Sequence, residues 1–268
     1  MMEITKDNYY SQAAALEYMS CSQYKAFCAC EEQALAEIAG DWDDWSHGSS
    51  TALLTGSYID AYFEGTLEEF RAAHPEIFKR GGELKADYAQ AENIIKRLER
   101  DPKFMRYMSG EKQVIMTGEI GGVPYKIKMD SYHEGKAIAD LKIMRDFAPI
   151  WNERTRRRQS FVRYWGYDTQ GAIYQEIVRQ NTGERLPFYI AAATKERYTD
   201  YDIFGVPQEW LDERLEEVRR LSPHFAELKR GEGEPKRCGR CGWCRETKTI
   251  TYIKDARELE DKIYADND

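Results

Sequence analysis

Three short runs with alternating apolar residues lie close together between residues 112 and 144. Gly121 and Gly122 separate the first run, QVIMTGEI, from the second, VPYKIKMD. Two glycines between such runs are a strong signal for a β-hairpin, because glycine accepts the positive φ angles of a tight turn. The third run, AIADLKIM, has the same character. The sequence therefore predicts three strands here, and the rest of the chain must pack around the sheet that contains them.

Helical patterns precede and follow these strands. Before residue 111 apolar residues recur at helical spacing, and Pro102 suits the first turn of a short helix. The apolar run LPFYIAAATKE is typical of a buried strand. The patterns predict helices at 22–38, at 52–63, at 85–99, from 102, at 161–180 and at 212–228, with a loop at 42–50.

This order of elements predicts an α/β (mixed α+β) fold with a central mixed sheet flanked by helices. We expect one domain over residues 1–268, without internal repeats. It would comprise a helical N-terminal part (1–110), a core (111–200) and a C-terminal helix with a cysteine-rich loop (201–268).

Composition limits the classes of protein that need to be considered. Of the 268 residues 42% are hydrophobic and 13% aromatic, enough for a substantial core. No segment approaches the roughly 18 consecutive apolar residues of a membrane span, and MMEITKDNYY lacks the apolar core of a signal peptide. We therefore expect a cytoplasmic protein with no membrane partner. A net charge of −8 argues against a uniformly basic surface but allows a local basic groove.

Two carboxylates in the strand region point to metal chemistry. Asp130 ends the second run, and Asp140 lies towards the end of the third. Carboxylates at the ends of neighbouring strands form an oxygen-rich pocket that suits Mg²⁺ or Mn²⁺. Lys142 follows Asp140 by two residues and so leaves the same face of the strand. For an isolated D-x-K triplet, a surface salt bridge at a strand end is the commoner explanation.

The wider pattern resembles the PD-(D/E)xK nuclease superfamily, in particular the RecB-like branch and its RecE-type phage and prophage exonucleases. Asp130, Asp140-Leu141-Lys142 and Gln170-x-x-x-Tyr174 carry the resemblance. It implies a restriction-endonuclease-like core in which Asp130 and Asp140 bind the metal and Lys142 orients the nucleophile. It also implies that Gln170 and Tyr174 hold the DNA strand, although such a pair can equally cover a sheet edge.

Two further segments extend the resemblance into the N-terminal part. SQYKAFCACEEQALAEI resembles the opening helix of the branch, and LLTGSYIDAYFEG resembles the helix that usually supplies a metal-binding histidine. Asp60 stands at that histidine position, and aspartate is also a good ligand for Mg²⁺ or Mn²⁺. Glu64 and Glu111 are further candidates to assist or replace Asp60, although both also suit an ordinary exposed surface.

The function that the resemblance implies is metal-dependent degradation of linear double-stranded DNA from its ends, which leaves single strands for phage or prophage recombination. It further implies a ring-like homo-oligomer and a single-strand annealing recombinase as partner. One alternative is a single-strand DNA nuclease of the CRISPR-adaptation kind. Another is a non-catalytic DNA-binding module on an eroded nuclease core, for which the Asp60 departure is the best support.

A run of arginines precedes the predicted helix at 161–180. The stretch RTRRRQSFVRYWGY interleaves arginines with aromatic residues, a composition that suits phosphate contact and base stacking. A charge run is more often simply solvated, but this one directly precedes the candidate site in an otherwise acidic chain. The predicted DNA-binding residues are Arg154, Arg156, Arg157, Arg158 and Arg163.

The six cysteines fall into two groups at opposite ends of the chain. Cys238, Cys241 and Cys244 form a C-x-x-C-x-x-C loop, which in a cytosolic chain favours metal over disulfides. Some RecB-like nucleases close a four-iron four-sulfur cluster with one cysteine before the nuclease core and three after it. By this resemblance Cys30 is the fourth ligand, ahead of Cys28 and Cys21, and the cluster is expected with Zn²⁺ as the alternative. Three free thiols in a loop are the plainer alternative, but a C-x-x-C-x-x-C pattern rarely lacks a ligand in a cytosolic protein.

Overall fold

The computed structural model describes residues 1–43, 51–153, 155–253 and 255–257, and the predicted hairpin is present in it. Strand β1 (Val114–Ile120) pairs antiparallel with β2 (Val123–Met129) about Gly121 and Gly122. Both glycines have positive φ angles, and a Cβ added to Gly121 would lie 2.6 Å from the carbonyl oxygen of Arg219. The turn therefore requires glycine for its conformation and for the close approach of α10 (Gln208–Lys229).

Six further strands are present in the part of the chain that the structure describes. They are β3 (Ser131–His133), β4 (Ala137–Met144), β5 (Ile150–Asn152), β6 (Arg157–Gln159), β7 (Phe188–Thr194) and β8 (Tyr201–Gly205). A four-stranded sheet has the order β3-β4-β7-β8, with β4 and β7 parallel and the outer pairs antiparallel, so it is mixed. β5 and β6 form a separate hairpin.

The predicted third strand and the predicted buried strand are therefore β4 and β7, and they are partners at the centre of the sheet. β3, β5, β6 and β8 were not predicted. β3 has only three residues, and the burial of the other three strands is only partial, so none of the four shows the apolar alternation that marks β1, β2 and β4.

The described helices include every predicted one, but the short helices at 12–17, 67–73 and 242–246 were not predicted, and two predicted helices are broken. The described helices are α1 (Gln12–Glu17), α2 (Cys21–Ala29), α3 (Glu31–Ala39), α4 (Thr51–Glu64), α5 (Leu67–Ala73), α6 (Ala86–Leu98), α7 (Pro102–Tyr107), α8 (Phe161–Tyr164), α9 (Tyr167–Thr182), α10 and α11 (Gly242–Glu246). The predicted helix at 22–38 is broken at Cys30, whose backbone is extended. The predicted helix at 161–180 is broken at Gly166, which adopts the left-handed conformation.

Helices cover both faces of the four-stranded sheet. One apolar cluster contains Ile138 of β4 and Ile190 of β7 and is covered by α2, α3, α9 and α10. The other contains Leu141 and Ala191 and is covered by α4, α6 and α7. Successive strand residues thus alternate between two cores, which is why β4 and β7 are apolar almost throughout. This arrangement confirms the predicted mixed sheet flanked by helices.

Within the described ranges, no helix combines the length and apolar character needed to cross a membrane. Residues 44–50 of the predicted loop at 42–50 lie outside those ranges.

Candidate active site

Asp130 lies where the chain leaves the two-stranded sheet and enters the four-stranded one, between β2 and β3. β3 pairs with β4 only as far as Ser131 opposite Ala139. The backbone N–H of Leu141 lies beyond this last pair and donates to Oδ2 of Asp130 at 2.9 Å. The short carboxylate side chain thus takes the place of a strand partner and is held firmly against β4.

Asp140 and Lys142 leave the same face of β4, as their spacing predicts. Lys142 Nζ forms an ion pair with Oδ2 of Asp140, whose side chain is 3% exposed. The other carboxylate oxygen, Oδ1, accepts a hydrogen bond from Nε2 of Gln170 on α9 at 2.7 Å. The expected position at a strand end is wrong for Asp140, because β4 continues past it to Met144. Apolar residues occur on both sides of Asp140 in this strand, so the sequence pattern does not show where the strand ends.

Asp60 approaches the same place from α4. Burial raises the pKa of Asp60 to about 7, Lys142 opposes the shift, and the charges of Glu64 and Asp140 add to it. Asp60 and Glu64 also line a cavity of about 420 Å³ together with Lys128. Glu64 accepts a hydrogen bond from Nε2 of Gln113 at 2.5 Å. The structure therefore brings Asp60 and Glu64 to one side of the site.

The three aspartates and Lys142 form one electrostatic unit. Burial and the charge of Asp140 hold the pKa of Asp130 well above its usual range, against the opposing effect of Lys142. Burial disfavours the charge of Lys142, but Asp140 and Asp130 outweigh this and hold the pKa of Lys142 above its usual range. Lys142 therefore remains an ammonium group, and three carboxylates share it.

A hard divalent cation fits this group, because it can take the place of the protons that burial favours on Asp60 and Asp130. Oδ2 of Asp140 is buried, and among the described residues its partner is the Lys142 ammonium group alone. Asp60, Asp130 and Asp140 supply the oxygen ligands that Mg²⁺ and Mn²⁺ prefer, and a cation would relieve their repulsion. The donor set is thus suited to the metal that the sequence predicts.

Tyr174 and Glu111 lie around this group rather than within it. The Tyr174 hydroxyl donates to the backbone carbonyl of Lys128 at 3.0 Å, so it ties α9 to β2. Glu111 is exposed, and its backbone pairs with that of Tyr132 just beyond the start of β3. The predicted role of Tyr174 in holding DNA stays a prediction.

Tyr167 is a site residue that sequence reasoning missed. Nζ of Lys142 lies 5.2 Å from the centre of its ring. Tyr167 lines a cavity of about 620 Å³ together with Leu53, Ile150 and Trp165. Trp165 is 49% exposed. The position of Tyr167 two residues after Trp165, at the start of α9, offers only a weak signal, because an aromatic residue there usually packs into the core.

The predicted DNA-binding arginines separate into two groups. Arg157 and Arg158 are exposed on β6, and Arg156 precedes them with a φ angle of 49°. Arg163 instead pairs with Asp168 at 3.3 Å and with Glu213 at 2.9 Å. Its guanidinium is therefore engaged by two carboxylates, while β6 presents its arginines to solvent. Arg154 lies outside the described residues.

The structure brings together the four cysteines that the sequence selects. The sulfur atoms of Cys30, Cys238, Cys241 and Cys244 all lie within 4.8 Å of one another. Cys21 is buried and Cys28 is exposed, both outside this group. The break between α2 and α3 explains the choice, because the extended Cys30 directs its thiol towards Cys244.

Comparison with known proteins agrees with this geometry. A family model described as PDDEXK-like domain of unknown function (DUF3799) matches residues 20–247. The chain belongs to this family. The match supports membership of the PD-(D/E)xK nuclease superfamily and covers the aspartates, Lys142 and all four clustered cysteines.

A solved structure is similar over nearly the whole length. It is a "Putative exonuclease" from Eubacterium rectale with 50% sequence identity, and the match covers 97% of this chain and 98% of that one with a TM-score of 0.90. No curated protein matches the chain. The family and this structure together support a nuclease.

Proposed function

We infer that the protein is a Mg²⁺- or Mn²⁺-dependent DNA exonuclease that degrades linear duplex DNA from its ends and leaves single strands for phage or prophage recombination. One observation carries this proposal: Lys142 and Gln170 both contact the Asp140 carboxylate, Asp130 accepts from the backbone N–H between Asp140 and Lys142, and Asp60 on α4 lies close enough for both to affect its pKa. The Eubacterium rectale structure, described as an exonuclease, supports the choice of activity.

The reaction is hydrolysis of a phosphodiester bond. The oxygen of a water molecule bonds to phosphorus, the bond from phosphorus to a sugar oxygen breaks, and that oxygen takes up a proton. Asp60, Asp130 and Asp140 would hold a divalent cation, which when bound would activate the water and stabilise charge on the phosphate.

The chain's own residues orient the reacting groups. Lys142 keeps its positive charge, so it donates hydrogen bonds to the attacking water or to a phosphate oxygen and does not act as a base. Gln170 fixes the Asp140 carboxylate through Oδ1, and Leu141 N–H fixes Asp130. A preorganised arrangement of this kind stabilises developing charge without reorganising during the reaction.

Surfaces on one side of the site suit a separated strand. The cavity beside Tyr167 is lined mainly by apolar and aromatic side chains, including exposed Trp165, on which an unstacked base can lie, and Arg145, Asp146 and Lys195 complete its wall. Arg158 of β6 donates to the carbonyl of Pro149, next to Ile150 of the cavity wall, so an arginine-bearing hairpin borders this cavity. The resemblance to RecE-type exonucleases further suggests a homo-oligomer and a single-strand annealing recombinase as partner.

Digestion of end-labelled DNA tests the proposal. Linear duplex, single-stranded and covalently closed circular DNA are incubated with Mg²⁺, with Mn²⁺ or with EDTA. We expect degradation of the linear duplex with either metal, none with EDTA, and an intact closed circle.

Other outcomes select other functions. Degradation restricted to single strands would favour the nuclease of the CRISPR-adaptation kind, which the aromatic cavity also suits. Cleavage of the closed circle would identify an endonuclease. DNA binding without cleavage under every metal condition would leave the non-catalytic module.

A further inference from the structure

Four thiols from opposite ends of the chain form a second candidate metal site, separate from the carboxylates. Cys30 and Cys244 are 214 residues apart in sequence, and their sulfur atoms lie 3.6 Å apart. The sulfur atoms of Cys238 and Cys244 lie 4.0 Å apart, and all four are within 4.8 Å of one another. No disulfide joins any of the four, so their convergence is that of a ligand set.

The spacing of the sulfur atoms distinguishes between the two metals that such a set can hold. With zinc–sulfur bonds of about 2.3 Å, the sulfurs of a tetrahedral Zn²⁺ site lie about 3.8 Å apart. The two distances of 3.6 and 4.0 Å lie on either side of this value. A four-iron four-sulfur cluster has a separate iron at each thiolate, so the cluster core itself stands between the sulfurs and holds them much farther apart. The observed limit of 4.8 Å does not fit it.

Backbone hydrogen bonds already support the thiolate form of the loop. The N–H groups of Arg240 and Cys241 point to the Cys238 sulfur at 3.4 and 3.3 Å, and the N–H of Cys244 points to the Cys241 sulfur at 3.4 Å. Such second contacts orient metal-bound thiolates and balance their charge. The backbone of the loop is therefore shaped around its sulfur atoms.

Polar contacts fix the loop to the start of α3, where Cys30 lies. The carboxylate of Glu31 accepts the backbone N–H of Lys236 at 2.8 Å and contacts His224 of α10 at 3.0 Å. Arg237 pairs with Glu32 at 2.6 Å. These contacts hold the loop that carries Cys238, Cys241 and Cys244 next to Cys30, the fourth ligand.

We propose that Cys30, Cys238, Cys241 and Cys244 bind a single tetrahedral Zn²⁺ ion, which fastens the C-terminal loop to the junction of α2 and α3. The site is structural, because four protein ligands leave no open position for a reactant. It does not depend on the nuclease activity proposed above.

Metal analysis of the full-length protein tests this proposal. Protein expressed with both iron and zinc supplied, and purified without oxygen, should be colourless and contain about one zinc per chain. Exchange with Co²⁺ should give the intense visible bands of tetrahedral cobalt thiolate. Brown protein with iron and acid-labile sulfide would overturn the assignment in favour of the cluster. Protein that binds neither metal after reconstitution would remove the site.

Cysteine variants provide a matched comparison. Cys244→Ser should lose zinc and melt at a lower temperature, since a structural metal contributes to folding. Cys28→Ser, which changes an exposed cysteine only two residues from Cys30, should keep both. If Cys244→Ser does not fold, thiol modification of the wild type with a mercurial reagent still decides the question, because zinc held by the four thiolates must then be released. Zinc that stays bound would contradict the proposal.

Discussion

Asp130 is subject to two opposing effects in the folded chain. The N–H of Leu141 stabilises its charged form, whereas burial and Asp140 disfavour that form more strongly. Sites of this kind, in which buried carboxylates repel one another, are common where a charge must later be accommodated. The carboxylate group is therefore less stable by itself than with a cation, and removal of one charge should lower activity without lowering stability.

Substitution of single site residues tests this idea. Asp140→Asn keeps the shape of the side chain but removes one charge, and Lys142→Ala removes the shared ammonium. We expect each to reduce DNA cleavage at least about a hundredfold, because Asp140→Asn removes a metal ligand and Lys142→Ala removes the donor to the attacking water or the phosphate. DNA affinity measured in EDTA should be retained, since the arginines of β6 are unchanged.

Thermal unfolding separates the two variants from each other. Asp140→Asn should melt close to wild type in EDTA, because weaker repulsion among the aspartates offsets the lost ion pair with Lys142. Lys142→Ala should melt lower, because it leaves three carboxylates without their common partner. Asp41→Asn, at an exposed position after α3, is the control for both measurements. Wild-type cleavage by either site variant would exclude this site.

At the scale of elements, the hairpin and its neighbours follow from local pattern alone. Gly121-Gly122 and the alternation around it specify β1 and β2, and the apolar run at β7 specifies a buried strand. The breaks at Cys30 and Gly166 could not be predicted in this way. Each residue lies within a helical pattern, and the break arises from contacts with distant parts of the chain, such as Cys244 for Cys30.

In the candidate site, too, local pattern predicts some residues, whereas others depend on contacts between distant parts of the chain. Asp130, Asp140, Lys142 and Gln170 were found because their types and spacing form a recognisable motif within the core. Tyr167 was not found, because its approach to Lys142 depends on how α9 packs across β4.

The β5–β6 hairpin is the element whose arginines should contact DNA phosphates. Replacement of Arg157 and Arg158 by Ala should weaken DNA binding and make its dependence on salt shallower, by about 0.7 to 0.9 in the logarithmic slope for each phosphate that is no longer neutralised. Binding is measured in EDTA across a series of salt concentrations. The control is the double variant Arg100→Ala with Arg220→Ala, which removes the same charge elsewhere. Arg100 is exposed just after α6, and Arg220 is exposed on α10. An unchanged slope in the hairpin variant would mean that these arginines are only solvated.

At the scale of the whole molecule, the N-terminal segment forms part of the wall of the site. Met19 pairs with Tyr125 of β2, and Tyr10 lines the cavity that contains Asp60. A buried lysine and a half-buried one hold this segment: Lys126 donates to the Tyr9 carbonyl, and Lys229 donates to the Tyr18 carbonyl at 2.9 Å. Sequence pattern could not anticipate them, since lysine is among the residues least often buried.

These lysines should make stability depend on pH. Burial lowers the pKa of Lys126 to about 8 and that of Lys229 to about 8, compared with about 10.4 for an unperturbed lysine. Between these values the unfolded chain binds more protons than the folded chain, so this contribution to stability rises with pH. Below about pH 8 both lysines are charged in either state, and the cost of burying that charge is fully present.

The comparison of wild type with Lys126→Met isolates this contribution from other titrating groups. The variant keeps an apolar chain of similar length and loses the charge. The free energy of unfolding of wild type, relative to the variant, should increase between pH 8 and pH 10 by on the order of 1 kcal/mol per pH unit. Urea unfolding at several pH values measures it, and Lys136→Met, at an exposed turn, should track wild type throughout. If wild type and Lys126→Met show parallel pH dependence, Lys126 is not desolvated, and the N-terminal segment is held by its backbone pairing and apolar contacts instead.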